Sequence, residues 1–186
     1  MRLQGAIFDF HGTILDDKGN PLPGVDRVLS MMKMEDVWMY LVCDGDPAPV
    51  RSALEGAGLW GRFRGLISAA EHGGDPLDPE LYEKTVRRLR TAKQATLVFT
   101  AREELLEVLK KNGFFAALVG EGHSPEAIAQ ADETIPNYET MTPPAEPVGT
   151  RNFYWLPEQP CLSSPQEPLR HWCPSSWWWA HWVSGS

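Results

Sequence analysis

Asp9 is the residue whose type and position most directly suggest chemistry. It ends a short apolar run, Ala6-Ile7-Phe8, which predicts a buried strand of a parallel sheet. Open α/β sheets bind and react their ligands at the edge where such strands end. His11 stands two residues later, and histidine exchanges protons near neutral pH. The spacing therefore predicts a reactive carboxylate with a titratable neighbour.

The surrounding pattern predicts the elements that would position Asp9. Gly12 and Thr13 turn the chain, and residues 14–22 read as a hairpin with Asp-Lys-Gly-Asn at its tip. Further strands are predicted at residues 37–43, 65–69, 95–100 and 115–120. Helices are predicted at residues 25–34 and 102–112, and after the cap pairs Asp46-Pro47, Asp78-Pro79 and Ser124-Pro125. Alternating strands and helices predict an α/β fold with a doubly wound, mainly parallel sheet.

The run Asp-Phe-His-Gly-Thr at residues 9–13 resembles the first motif of the haloacid dehalogenase (HAD) superfamily, a strand followed by Asp-x-Asp-Gly-Thr. The likeness extends from Leu3 to about Met141. Residues 54–59, 78–82 and 131–135 resemble segments of its phosphoglycolate phosphatase-like branch. The resemblance implies a Rossmann-like core and phosphomonoester hydrolysis through an aspartyl intermediate on Asp9. The short spacers leave no room for that branch's usual cap domain, so we expect a capless core with an open face.

The resemblance also implies a set of site residues. His11 stands where the phosphatases place an acid/base Asp, and the alternative is a histidine that only hydrogen-bonds the hairpin. Gly12, Thr13, Cys43 and Asp44 are the expected substrate-binding residues. Cys43 replaces the Thr or Ser of the second motif, and a thiol holds a phosphoryl oxygen weakly. It is either a reactive cysteine or a buried structural one.

The third and fourth motifs depart furthest from the family pattern. The position of the expected Lys is occupied by Pro76 or Asp75, and Thr100 stands at the usual acidic metal ligand. The resemblance implies Mg²⁺ held by Asp9, the His11 carbonyl and either Glu104 or Asp44. Thr100 and Glu103 also have the spacing of a capping box, which predicts an N-terminal cap for the following helix.

Composition excludes some classes of function. The net charge of the 186 residues is −8, which argues against a nucleic-acid binder. Three cysteines without metal-ligand spacing favour a reducing compartment. No signal-peptide pattern and no membrane-spanning apolar run are present, so a cytoplasmic location is expected.

The pattern changes after about residue 142. Residues 143–186 hold half of the 16 prolines and six of the eight tryptophans, without a helical or strand period. A HAD-like core domain is therefore expected over residues 1–142, and an irregular tail over 143–186. The tail is interpreted as a segment that packs on the core or binds a partner, as an interfacial anchor, or as a C-terminus altered by a frameshift or fusion.

Two functions follow from these residues. In the first, the chain is a divergent or impaired phosphohydrolase acting on a small phosphorylated substrate, with Asp9 as nucleophile, His11 as proton shuttle and Mg²⁺ as cofactor. In the second, it is a catalytically silent HAD-fold protein that serves binding or scaffolding. Loss of both the third-motif cation and the fourth-motif acid favours little or no activity, because each charge-stabilising group is worth roughly 3 kcal/mol or more.

Overall fold

The protein is a six-stranded, all-parallel sheet with helices on both faces, seen in a computed structural model that describes residues 3–141. The strands are β1 Gly5–Asp9, β2 Trp38–Cys43, β3 Gly65–Ser68, β4 Thr96–Thr100, β5 Phe115–Val119 and β6 Glu133–Ile135. The helices are α1 Val25–Met34, α2 Pro47–Gly56, α3 Pro79–Leu89, α4 Glu103–Lys111 and α5 Pro125–Gln130. The doubly wound α/β architecture is confirmed. The tail, residues 143–186, lies outside the described residues, and the domain boundary stays a prediction.

The central strand β1 carries Asp9 to the point where the strand order reverses. The order is β3-β2-β1-β4-β5-β6, so the chain runs outward from β1 on one side and returns to start β4 on the other. Asp9 pairs in register with Val42 of β2, and Phe8 pairs with Phe99 of β4. Asp9 therefore lies at the crevice where doubly wound sheets bind ligands.

Each face of the sheet has its own core. Phe8 packs into the layer under α1 and α2, where its ring stacks on Phe99 at a centroid distance of 4.6 Å. Ile7 points the other way, into the layer under α3, α4 and α5. Because both faces of β1 are buried, its sequence is continuously apolar instead of alternating. The apolar run before Asp9 thus reflects a central strand.

Three helices begin with the predicted pair of a polar cap and a proline. The side chains of Asp46, Asp78 and Ser124 accept hydrogen bonds from the backbone N–H groups of Ala48, Glu80 and Ala127, respectively. Each cap satisfies one of the free donors of a helix start. These start sites are confirmed.

The capping box predicted for α4 is wrong. The residue that caps α4 is Arg102, without a side-chain cap hydrogen bond. The Thr100 hydroxyl accepts from the Arg102 N–H, and the Glu103 carboxylate accepts from the backbone and hydroxyl of Ser124. The capping box fails because Ser124, 21 residues away, supplies better donors to Glu103 than the helix start does.

No cap domain is inserted in residues 3–141. The connection from β1 to α1, residues 10–24, contains one antiparallel bridge between Leu15 and Pro21, as the hairpin prediction requires. The connection from β2 to β3 contains only α2 and a single 3₁₀ turn, Trp60–Arg62. None of the helices in this described part is long and apolar enough to cross a bilayer.

Candidate active site at the carboxyl edge of the sheet

Asp9 is fully buried at the end of β1. Its side chain is 0% exposed. The Thr100 hydroxyl, at the end of β4, donates a hydrogen bond of 3.0 Å to Asp9 Oδ2. The Thr13 hydroxyl donates to the Asp9 backbone carbonyl. Asp9 is thus fixed from two directions before any charged partner is considered.

Arg102 covers the Asp9 carboxylate. Its Nε donates to Asp9 Oδ2 at 2.8 Å, and its Nη2 donates to Asp9 Oδ1 at 2.7 Å. This is the bidentate geometry in which a guanidinium binds a carboxylate most strongly. Both oxygens of the predicted nucleophile are therefore occupied by a cation from the start of α4.

The same guanidinium also binds Asp44, which directly follows β2. Arg102 Nη1 donates to Asp44 Oδ2 at 2.9 Å, and Nη2 donates to Asp44 Oδ1 at 3.2 Å. The Arg102 side chain is 16% exposed and that of Asp44 is 47% exposed. We call Asp9, Arg102 and Asp44 the ion triad. With two carboxylates and one guanidinium, the ion triad carries one net negative charge.

Burial and ion pairing shift the pKa values of Asp9 and Arg102 in opposite directions. Burial raises the pKa of Asp9 by more than the hydrogen bonds and charge of Arg102 and the hydroxyl of Thr100 lower it. Burial also lowers the pKa of Arg102, but the hydrogen bond and charge of Asp9 raise it overall. Arg102 therefore stays charged, and it is the group that makes a buried carboxylate tolerable at this position.

His11 does not reach Asp9. Its side chain is exposed, and no hydrogen bond joins it to Asp9 or to the hairpin within residues 3–141. Gly12 has a φ of 69° and turns the chain so closely past the connection between β4 and α4 that an added Cβ would lie 3.1 Å from that of Ala101. The turn thus positions Thr13 under Asp9 and leaves His11 facing outward.

Cys43 is 3% exposed at the end of β2. Its thiol donates a weak hydrogen bond of 3.6 Å to the Gly45 carbonyl, which also accepts from the Ser68 hydroxyl at 2.6 Å. Burial raises the pKa of the Cys43 thiol to about 11. The protonated thiol at neutral pH favours the interpretation of Cys43 as a buried structural residue, since the thiolate is the reactive form.

The metal ligands expected from the resemblance are not brought together. Glu104 is exposed on the first turn of α4, and both oxygens of Asp9 and of Asp44 are bound by Arg102. In the described residues, no three His, Cys, Asp or Glu side chains form a group that could hold a metal ion. Mg²⁺ requires free oxygen ligands at short range. The residues present therefore do not fit Mg²⁺, because a guanidinium occupies the point on which the carboxylates converge.

Two residues of this site were missed from the sequence. Arg102 stands two residues past the strand end Thr100, and a cation next to a missing acidic ligand is the signal that would have identified it. Tyr82 of α3 is also fully buried, and the charges of Asp9, Arg102 and Asp44 all act on its hydroxyl. That hydroxyl has no hydrogen-bond partner among residues 3–141, and burial raises its pKa.

Solved structures share the fold of this protein, although its sequence matches no known family model. No family model and no curated protein matches the sequence. The structure is similar to a Thermotoga maritima protein described as a β-phosphoglucomutase, with 15% identity, a TM-score of 0.64, and coverage of 74% of this chain and 96% of the other. It is similar to the L-2-haloacid dehalogenase of Xanthobacter autotrophicus, with 15% identity, a TM-score of 0.58, and coverage of 70% and 82%.

A third similar structure is a predicted phosphoglycolate phosphatase from Haemophilus somnus. It is 13% identical, with a TM-score of 0.56, and the match covers 66% of this chain and 56% of the other. Likeness at these identities is a likeness of fold. The chain therefore has the fold of the haloacid dehalogenase superfamily, as its first motif predicted.

Proposed function

We propose that this chain is a catalytically silent relative of the HAD phosphohydrolases, a domain that serves binding or scaffolding. One observation carries the proposal: both oxygens of the fully buried Asp9 are held by Arg102. An attacking carboxylate needs a free oxygen in line with the phosphorus atom. Asp9 offers none while Arg102 is in place.

Electrostatics supports the same conclusion. A phosphate monoester arrives with negative charge, and transfer of its phosphoryl group requires positive charge that is free to bind it. The ion triad is already net negative. Asp75, at the third-motif position, accepts a hydrogen bond from the Leu77 N–H in a turn, and Lys84 lies 3.7 Å from Glu80 on the surface of α3. Neither position supplies the missing cation.

A divergent phosphohydrolase is the second candidate, because a cation does stand at the required edge of the sheet. In that mechanism the Arg102 guanidinium moves from Asp9 to the phosphoryl oxygens, and Asp9 becomes free to attack. The partial exposure of Asp44 and Arg102 leaves a side from which a small phosphorylated substrate could approach. Such activity would need Asp9 and Arg102, and would be independent of Mg²⁺.

Hydrolysis of a generic aryl phosphate, measured with and without Mg²⁺, tests the proposal. The wild-type chain and Asp9→Asn are expected to give the same rate as buffer. Circular dichroism of both proteins would show that the absence of turnover is not caused by unfolding. Turnover that is lost in Asp9→Asn would contradict the proposal, and its dependence on Mg²⁺ would decide between a metal-dependent enzyme and the divergent mechanism.

A further inference from the structure

Arg102 lies between two carboxylates and binds both, as a bound cation would. It makes four hydrogen bonds to two carboxylates that come from the ends of different strands, β1 and β2. Its backbone belongs to a third segment, between β4 and α4. The guanidinium thus ties together three segments that converge only at the carboxyl edge of the sheet.

Nothing else described in residues 3–141 neutralises this cluster. The other groups that act on Asp9 are the Thr100 hydroxyl, which is neutral, and Asp44, which is itself acidic. The hydroxyl of Tyr82 is buried nearby without a hydrogen-bond partner in this part of the chain. If the guanidinium were lost, two carboxylates would face each other across the space that it vacates, one of them fully buried.

Converging carboxylates are also the ligands of a hard divalent cation. Mg²⁺ is commonly held by one or two carboxylates while it keeps several waters. A guanidinium and Mg²⁺ therefore satisfy the same pair of carboxylates in mutually exclusive ways.

We propose that Arg102 is a tethered counter-cation that takes the place of a divalent metal ion between Asp9 and Asp44. The wild-type chain then needs no metal at this edge, and removal of the guanidinium creates a site for Mg²⁺. This inference deepens the proposed function, since it rests on closure of the Asp9 site by Arg102 and assigns that closure a physical role.

Thermal unfolding with and without ~10 mM MgCl₂ tests the inference. Wild type is expected to show no shift in Tm on addition of Mg²⁺. Arg102→Gln, which retains most of the side-chain volume but no charge, is expected to unfold at a lower temperature and to recover by ~4 °C in Mg²⁺. Calorimetric titration of Arg102→Gln with Mg²⁺ is expected to give a binding isotherm that wild type does not give.

Two controls make the test specific. Arg51→Gln removes an arginine from the exposed pair with Glu55, and its Tm is expected to be insensitive to Mg²⁺. Arg102→Gln combined with Asp44→Asn removes one carboxylate of the new site, and the recovery in Mg²⁺ is expected to be lost.

A Mg²⁺-dependent increase in the Tm of wild type would overturn the inference, because the metal would then bind beside Arg102. Arg102→Gln that shows no recovery in Mg²⁺, or that stays unfolded with and without it, would also overturn it, because a divalent cation would then be unable to replace the guanidinium. These outcomes are independent of phosphatase turnover, so the inference and the proposed function fail separately.

Discussion

Asp9 and Glu133 are the two buried acidic side chains in residues 3–141, and they differ in the partners that surround them. Asp9 has both oxygens bound by Arg102 and a third bond from Thr100. Glu133, on the edge strand β6, is 6% exposed, and its Oε2 has no hydrogen-bond partner in the described part of the chain. Burial and the adjacent charge of Asp132 raise the pKa of Glu133 to about 8.

The comparison shows two solutions to the burial of a carboxyl group. At the centre of the sheet, a tethered cation stabilises the ionised form of Asp9. At the edge, the nearby cation Lys110 pairs with Asp132 at 2.5 Å, so it does not offset the effect of burial on the pKa of Glu133. The stability of the protein should therefore depend on the Asp9–Arg102 pair at the centre of the sheet, and on the pH through Glu133 at the edge.

The largest expected effect is at the centre. Asp9→Ala leaves Arg102 largely buried with only Asp44 as a partner, so we expect the free energy of unfolding to fall by about 3 kcal/mol. Asp44→Ala removes the exposed carboxylate from the same guanidinium and should cost about 1 kcal/mol or less. Urea unfolding of the two variants measures both values.

The opposite result for Asp9→Ala would be informative. Residues kept for catalysis are often held at a cost to stability. An Asp9→Ala variant that is as stable as wild type, or more stable, would indicate a carboxylate retained for reaction and would break the contrast with Glu133.

A pH-dependent effect is expected at the edge. The folded state holds the Glu133 proton up to about pH 8, whereas the unfolded state releases it near the ordinary value of 4.5. The contribution of Glu133 to stability is therefore fully present below about pH 4.5 and is lost as the pH rises toward 8. Glu133→Gln cannot ionise, so it should be more stable than wild type at pH 9, with little difference at pH 5.

Urea unfolding of wild type and Glu133→Gln from pH 5 to pH 9 checks this prediction. Parallel stability curves for the two proteins would show that Glu133 titrates alike in both states. The distinction between a paired and an unpaired buried carboxyl group would then disappear.

The smallest expected change in the free energy of unfolding is that of Lys110, the cation near the edge strand β6. Lys110→Ala removes the partner of Asp132, which also accepts a hydrogen bond from the Ala116 N–H at 2.8 Å and so joins β5 to the residue just before β6. We expect a loss of about 1 kcal/mol, because this pair is partly buried. Lys111→Ala, in an exposed helical pair with Glu107, is a matched control that should cost about 0.3 kcal/mol. Equal losses would mean that partial burial adds nothing to the Lys110–Asp132 pair.

Most of the architecture could be predicted from the sequence. Period and composition indicated the five helices and five of the six strands found in residues 3–141, and the apolar run ending at Asp9 identified the reactive edge of the sheet. The sixth strand, β6, was indicated only by the resemblance of residues 131–135 to the phosphatase-like branch. These predictions succeed because burial on both faces of a central strand, and proline after a polar cap, are local requirements with local signals. The prediction for Thr100 and Glu103 failed where a distant residue, Ser124, offered a competing hydrogen bond.

The surroundings of Asp9 could not be predicted in this way, because they depend on how distant parts of the chain pack together. Arg102 is 93 residues away along the chain, and its place beside Asp9 requires β4 to pair with β1 in one register. A sequence pattern does not predict the direction in which a side chain just before a helix points. The sequence determined that a carboxylate lies at the ligand-binding edge, and the fold decided that a guanidinium closes it, because the direction of a long side chain depends on the charges that the fold places around it.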